Sequence, residues 1–290
     1  VSDLDDLRLD RSGEPPLAPE TGFSWGRIAI AVVIAVGIIV VGYVWWRRSA
    51  PAATTPTAAG SKAPAQAVAA PPPVAGEAIE LPPLDQSDAL VRDLVSRLSS
   101  NPRVAQWLTT PQLIRNFAVV VANIADGRTP IKNLQRMRPN GNFVAATDAA
   151  GSYIDPASYR RFDDYAAAVA GLDPDGTARL YETLKPRIVE AYRELGYPDG
   201  DFDGALRRAV VLILETPVVE GRIGVTGTPA SYNFTDDRLQ SLKPAQRQLL
   251  RMGPRNEQLV QEKLRELAPL LGMAPETLPP ARVIREGQSG

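Results

Sequence analysis

Two groups of residues in this 290-residue chain have types and spacing that speak of chemistry. The first is "DGDFDG", which sets Asp199, Asp201 and Asp203 at positions 1, 3 and 5 of a calcium loop and Gly204 at position 6, so that alternate side chains converge on one hard cation. Position 12, however, is Val210 rather than a bidentate glutamate, and position 4 is the bulky Phe202. Asp201 or Asp203 serves equally well as the N-cap of a helix carrying Leu206. The stretch therefore reads as a turn and a cap, with no metal or cofactor assigned.

The second group is cationic. Lys243, Arg247, Arg251 and Arg255 recur every fourth residue, the spacing that aligns side chains along one helix face. Pro244 and the Gly253-Pro254 pair interrupt that helix, which restricts secure alignment to Arg247 and Arg251. The ladder lies in a basic region: residues 238–265 hold seven Lys and Arg against two Asp and Glu, whereas residues 148–203 hold twelve acidic residues against six basic ones. With a net charge of only −1 for the whole chain, this segregation predicts a polarised domain. The four cations form a candidate docking surface for anionic lipid headgroups or an acidic partner, against the plainer reading of a solvated or internally paired face. Arg128, Lys132, Arg136 and Arg138 make a second basic stretch. "LLRMGPRNEQLVQEKL" has the outline of the second half of a helix-hairpin-helix DNA motif, but the first hairpin's glycines are missing.

Other chemistry is restricted by absence. The chain contains no histidine and no cysteine, which excludes disulfides, Cys/His zinc sites and every Ser-His or Cys-His triad. It also lacks GxSxG, SxxK with its partner boxes, GxxxxGK[ST] and GxGxxG. Carboxylate pairs remain as acid/base candidates, and no catalytic residue is singled out.

The elements that must position these residues follow from composition and periodicity. Residues 1–27 form an acidic tail with little to bury. From Ile28 to Trp46 runs "IAIAVVIAVGIIVVGYVWW", nineteen uncharged positions bracketed by Phe23, Trp25, Tyr43, Trp45 and Trp46, the length and flanks of a single transmembrane helix. A signal peptide would have a basic start and a shorter apolar core. Residues 47–80 are a linker rich in Pro and Ala, semi-extended in character. Residues 81–271 then read as one multihelical domain with a minor β-hairpin, and residues 272–290 as a flexible C-terminal tail. The fold class expected is thus mainly α.

Within the domain, Leu90, Leu94 and Leu98 repeat behind Ser87 as N-cap, and Leu113, Phe117, Val120 and Ile124 repeat behind Thr110 as cap. "NFVAATDAAGSYID" predicts a hairpin turning at "DAAG", and Asp155 caps a helix with the stripe Tyr159, Phe162, Tyr165 and Val169. Leu180, Leu184, Ile188 and Tyr192 continue through Pro186, which predicts one kinked helix. Leu206, Val210 and Ile213 mark a further helix, and "PVVEGRIGVTGTPASYNF" reads as loops with short extended pieces. Two helices joined at Gly253-Pro254 close the domain, the second with Val260, Leu264 and Leu267 inward.

The run "YIDPASYRRFDDYAAAV", followed by "ELGYP", "FDGALRRAV", "LETPVVEG" and above all "SLKPAQRQLLRMGPRN", resembles a bacterial family of single-span membrane proteins known as domain of unknown function three-thousand-fourteen. The resemblance covers most of residues 81–271 and carries with it no activity, cofactor or site residue. Lys and Arg near the span tie, with Arg8, Arg11 and Arg27 before it and Arg47, Arg48 and Lys62 after it. The linker, in which Lys62 is the only basic residue between Ser49 and Val91, favours a cytoplasmic N-terminal tail and an exported domain. The expectation is a bitopic protein of the bacterial inner membrane with a periplasmic, non-catalytic interaction or scaffolding domain whose partner is an envelope protein or polymer. Two alternatives stand beside it: an envelope hydrolase using an Asp/Glu pair on cell-wall glycan, and a cytoplasmic-facing domain that binds nucleic acid or anionic lipid. An exported, nearly neutral domain meets no genome, which argues against nucleic acid.

Overall fold

A computed structural model of the protein describes residues 80–228 and 231–285, with the backbone alone at 131 and 132. The expected acidic tail, the span 28–46 and nearly all of the linker lie outside the described residues. No helix among the described residues is long and apolar enough to cross a membrane.

The described chain is mainly helical, as its periodicity predicts. Its α-helices are α1 (Asp88–Leu98), α2 (Pro102–Leu108), α3 (Leu113–Ala125), α4 (Asp163–Ala170), α5 (Pro174–Glu194), α6 (Phe202–Leu214), the single turn α7 (Asp237–Gln240), α8 (Pro244–Leu250) and α9 (Pro254–Leu267). The strands are β1 (Ala145–Asp148), β2 (Gly151–Ile154), β3 (Val218–Glu220), β4 (Val225–Thr228), β5 (Ser231–Phe234) and β6 (Val283–Arg285).

At the centre lies α3, whose Leu113, Ile114, Phe117, Val120, Val121 and Ile124 are buried around most of its circumference. A helix apolar on all sides must be enclosed, and α3 packs against α5, α6 and α1. Its start corrects the sequence reading. The helix begins at Leu113 rather than behind Thr110, with Gln112 in the left-handed region at φ 54°. Its first amides are capped from another element: Asp88 of α1 accepts from Gln112 N at 2.9 Å and Leu113 N at 2.8 Å. Ser87 likewise makes no cap bond to α1; its hydroxyl donates to Leu84 O. The buried line of α1 is Val91, Val95 and Leu98, with Leu90 and Leu94 half-buried beside it.

The stripe Leu180, Leu184, Ile188 and Tyr192 is buried along α5, which runs unbroken through Pro186. The proline sits on the exposed face, where solvent can take the carbonyl that it leaves without an N–H donor. Phe202, at the start of α6, joins Phe117, Tyr181 and Tyr192 in an aromatic cluster with ring centroids 5.4–6.3 Å apart. The segment capped by Asp155 opens as a 3-10 turn (Pro156–Phe162) and becomes α-helical only from Asp163.

The predicted hairpin is β1–β2, with Ala145 opposite Ile154 and Asp148 opposite Gly151. The short extended pieces expected in "PVVEGRIGVTGTPASYNF" are β3, β4 and β5, of which β4 and β5 form a second hairpin joined to the first by a bridge between Tyr153 and Gly224. Together they cover a satellite core of Ile154, Val219, Ile223, Val225, Phe234, Leu239 and Leu250. The domain also continues past the expected boundary at 271. Met273 is buried, and the residues read as a flexible tail return so that β6 pairs in parallel with β3, with Arg285 placed 3.2 Å from Glu220. Three residues of strand carry too weak a periodic signal to be seen in sequence.

Candidate functional site

Where α8 faces the second hairpin, a pocket of about 50 Å³ opens between three segments distant in sequence. Pro244, Arg247, Gln248 and Arg251 line it from α8, Ser231, Tyr232 and Asn233 from β5, and Thr129 from the turn after α3. The position of α8 is fixed at its first turn. Pro244 supplies a pre-set φ at N1, and Gln246 accepts the Lys243 N–H at 3.1 Å while donating its amide to Leu212 O of α6 at 3.1 Å. Ala245 N donates to Gly127 O at 3.1 Å, and a Cβ on Gly127 (φ +74°) would press within 3.1 Å of the Lys243 side chain. Glycine is needed there for both the backbone angle and the close approach.

Arg251, at the end of α8, is buried. It donates from Nη2 to Tyr232 O at 2.9 Å, and its guanidinium lies 5.6 Å from the Phe234 ring centroid and 5.9 Å from that of Phe143. Phe143 also carries Arg161, at 5.8 Å, and contacts Tyr232 at 5.4 Å. Burial, and then the charges of Arg247 and Arg161, pull the Arg251 pKa down to about 10; burial does the same to Arg161. Both stay cationic at neutral pH, so the shift registers poor solvation and like-charge crowding rather than loss of charge. Arg247 is half-buried, and its side chain makes no hydrogen bond or ion pair among the described residues. Gln248 is 3% exposed, and its Nε2 is buried without a hydrogen-bond partner.

The four-residue ladder is therefore divided. Arg247 and Arg251 converge on the pocket; Lys243 is an exposed cap residue that does not line it, and Arg255 is exposed on α9, 3.9 Å from Asp163. The division arises at Gly253, where φ +81° turns the chain and a Cβ would sit 2.4 Å from Cγ of Tyr159. Arg128 of the second basic stretch pairs with Asp126 at 3.2 Å. Periodicity missed Gln248, Thr129 and the hairpin residues. The available signal for Gln248 was its place beside Leu249 and Leu250 in a short helix too polar to be buried without partners.

The remaining polar residues of this region are braces. Gln261 donates to Ile213 O at 3.1 Å and Thr216 O at 2.8 Å, satisfying carbonyls at the end of α6. Asn256 donates to Tyr159 O, Met252 O and Asp163 Oδ1 within 3.0 Å. Glu257 is wholly enclosed in the first turn of α9, and burial pushes its carboxyl well above the usual carboxylate range. Tyr159 is pushed up to about 12, first by burial and then by the charge of Glu257. The helix start that has the outline of a DNA motif is thus turned into the core.

The aspartate triplet also has structural work. Asp201 caps α6 through Gly204 N at 2.8 Å, and a Cβ on Gly204 would lie 2.0 Å from Asp201 Oδ2. The glycine that fits a calcium loop is thus required by the cap. Asp203 accepts from the Tyr181 hydroxyl and from Lys185 Nζ at 2.9 Å. Burial alone would raise its pKa, but those two bonds outweigh it and hold the carboxyl below the usual range. Among the described residues no three acidic side chains gather as a metal site.

A second cavity, of about 30 Å³, lies in the helical core between Val91, Trp107, Leu113, Phe117, Leu184 and Ile188, and the only polar groups of its lining side chains are the indole N–H of Trp107 and the hydroxyl of Tyr181, the latter already bonded to Asp203.

No curated protein and no solved structure matches this chain. A family model does, over residues 113–268, from the first residue of α3 to just beyond the end of α9. That span includes every residue lining the cationic pocket and the polar braces behind it, and leaves out α1, α2 and the C-terminal return. By this match, over more than half its length, the chain belongs to the family described as protein of unknown function (DUF3014).

Proposed function

We propose that the protein is anchored in a bacterial inner membrane by the span 28–46, with its helical domain held in the periplasm by the linker, and that the domain is a non-catalytic module that docks an anionic group of an envelope partner. The observation that carries this reading is the Arg247/Arg251 pocket: its charged lining is cationic only, and it is bordered by Gln248, whose buried amide nitrogen has no hydrogen-bond partner. Such a lining binds an anion and offers no acid/base pair. The hydrolase alternative needs two carboxylates facing one cleft. Neither cavity described is lined by a carboxylate; Glu257 is enclosed in the core and Asp203 is engaged by Tyr181 and Lys185.

Location is tested through the absence of native thiols. Ser289→Cys introduces the only thiol, and cells are treated with a membrane-impermeant maleimide after the outer membrane alone is permeabilised. The expected result is labelling without lysis. Protection that ends only on lysis would put the domain in the cytoplasm, overturn the periplasmic reading and revive the alternative of a nucleic-acid or inner-leaflet partner.

A further inference from the structure

We infer that the Arg247/Gln248/Arg251 pocket is a binding site for a phosphate-type oxyanion, the terminal phosphoryl group of a small molecule, polymer or lipid. The inference deepens the docking reading given above and rests on it, by naming the group that is docked.

Three features of the pocket lead there. Its donors come from separate directions: Arg247 and Gln248 from α8, the hydroxyls of Ser231 and Thr129 from β5 and from the turn after α3. A carboxylate presents its acceptors in one plane, whereas a tetrahedral oxyanion presents three or four oxygens to donors spread around it. Charge also discriminates. Two arginines line the space, Arg247 and, engaged behind it, Arg251, and a phosphate monoester at neutral pH carries about −1.5 to −2, against −1 for a carboxylate, so the phosphoryl group matches both charges. Size is compatible: the pocket, of about 50 Å³, has room for one such group.

The site is built rather than incidental. Gln248 is 97% buried by its 3% exposure, yet its Nε2 has no partner, which is costly unless a ligand accepts from it. Arg247 is held on a helix pinned at its first turn and makes no ion pair among the described residues. Arg251 is oriented by Tyr232 O and the rings of Phe143 and Phe234, and adds its charge from behind. The same bond, with that from Phe234 N to Gln240 Oε1 at 2.9 Å, occupies backbone groups of β5 and so disfavours the rival mode of adding a partner strand there.

The test uses the full-length protein in a non-ionic detergent, titrated calorimetrically with inorganic phosphate and with acetate at matched ionic strength. Phosphate is expected to bind at least about tenfold more tightly than acetate. Arg247→Ala should weaken phosphate by about tenfold or more, the loss of a charge-assisted bond, and Gln248→Leu by about threefold to tenfold, the loss of a neutral donor. Arg247→Lys, which keeps the charge but loses the fork, should fall between wild type and Arg247→Ala and serves if the alanine variant unfolds. Equal affinity for acetate, no measurable phosphate binding, or phosphate binding indifferent to Arg247→Ala and Arg247→Lys would overturn the inference. Stronger binding of acetate than phosphate would overturn it while leaving the docking reading in place; a cytoplasmic result with Ser289→Cys would do the reverse. To separate the sources, phosphate titration is repeated in nanodiscs of phosphatidylcholine with and without phosphatidate. Competition by phosphatidate assigns the phosphoryl group to a lipid headgroup, and undiminished phosphate binding assigns it to a soluble ligand.

Discussion

Around α3 the walls of the small internal cavity include Val91, Trp107, Leu113, Phe117, Tyr181 and Leu184, hydrocarbon but for the indole N–H and the tyrosine hydroxyl. Around α8 and α9 the chain buries Gln246, Gln248, Arg251, Asn256, Glu257, Gln261 and Lys263, each 9% exposed or less. The first region is held by area removed from water, at roughly 1.5–3 kcal/mol for each large side chain, and has no directional demand. In the second, every group must find a partner, because an unmet buried donor or acceptor costs about 1–3 kcal/mol. Most groups do so by serving backbone elsewhere: Gln246 and Gln261 take the last carbonyls of α6, and Lys263 donates to Leu172 O at 2.9 Å. Against that pattern two groups of these seven residues stand without a partner, Asn256 Oδ1 and Gln248 Nε2, and of the two residues Gln248 lines the cationic pocket. The comparison teaches that polarity in α8 and α9 is mainly architecture, and that Gln248, which borders the cationic pocket, is the exception placed to meet a ligand.

The largest expected effect separates the two regions directly. Gln261→Leu keeps the volume but strands Thr216 O and removes one of the donors to Ile213 O, which still accepts from Thr216 N, and should cost about 1–3 kcal/mol in denaturant unfolding. Leu184→Met, a volume-conserving exchange in the apolar wall, should cost less than about 1.5 kcal/mol. Equal costs would erase the distinction.

A smaller effect depends on pH. Below about pH 4.5 the Glu257 carboxyl is protonated in both folded and unfolded chains, so it carries no penalty. As pH rises, the unfolded chain releases a proton that the folded chain retains, and stability falls until Glu257 itself ionises in the core. Glu257→Gln removes that dependence. Its stability relative to wild type should rise with pH from about 4.5 upward, by at most about 1.4 kcal/mol per pH unit. A difference constant from pH 4 to 7 would show that the carboxyl is hydrated, and would move Glu257 out of the buried polar set.

What the sequence discloses follows the same division. The stripes Leu180/Leu184/Ile188/Tyr192 and Val260/Leu264/Leu267 are legible because burial on one face repeats with the helix period. In α1 the period is legible and Leu98 of the expected stripe is buried, but the centre of the face is Val91 and Val95, with Leu94 packed half-buried at its edge. The cap that Asp88 provides for α3, 24 and 25 residues away, has no local signature. Half the pocket was legible, in the i, i+4 pair Arg247 and Arg251. The other half, Thr129 and β5, is brought in by the packing of α8 on the end of α3 and on a hairpin whose short strands give little alternation.

The smallest effect sharpens the comparison at the aspartate triplet, whose spacing has the outline of a calcium loop and whose Asp201 is a helix cap. If Gly204 exists to admit the Asp201 cap, then Gly204→Ala must displace that carboxylate, because the added Cβ would lie 2.0 Å from Oδ2. The net cost should be about 1 kcal/mol, the worth of an N-cap, offset in part by the better helix propensity of alanine. Asp201→Ala should cost a similar amount, and the double variant no more than either alone, since both remove one interaction. Thermal unfolding in millimolar calcium and in chelator supplies the control. If calcium raises the melting temperature of wild type and Gly204→Ala abolishes the rise, the triplet belongs with the cationic pocket as a ligand site; identical melting in both conditions leaves it among the braces.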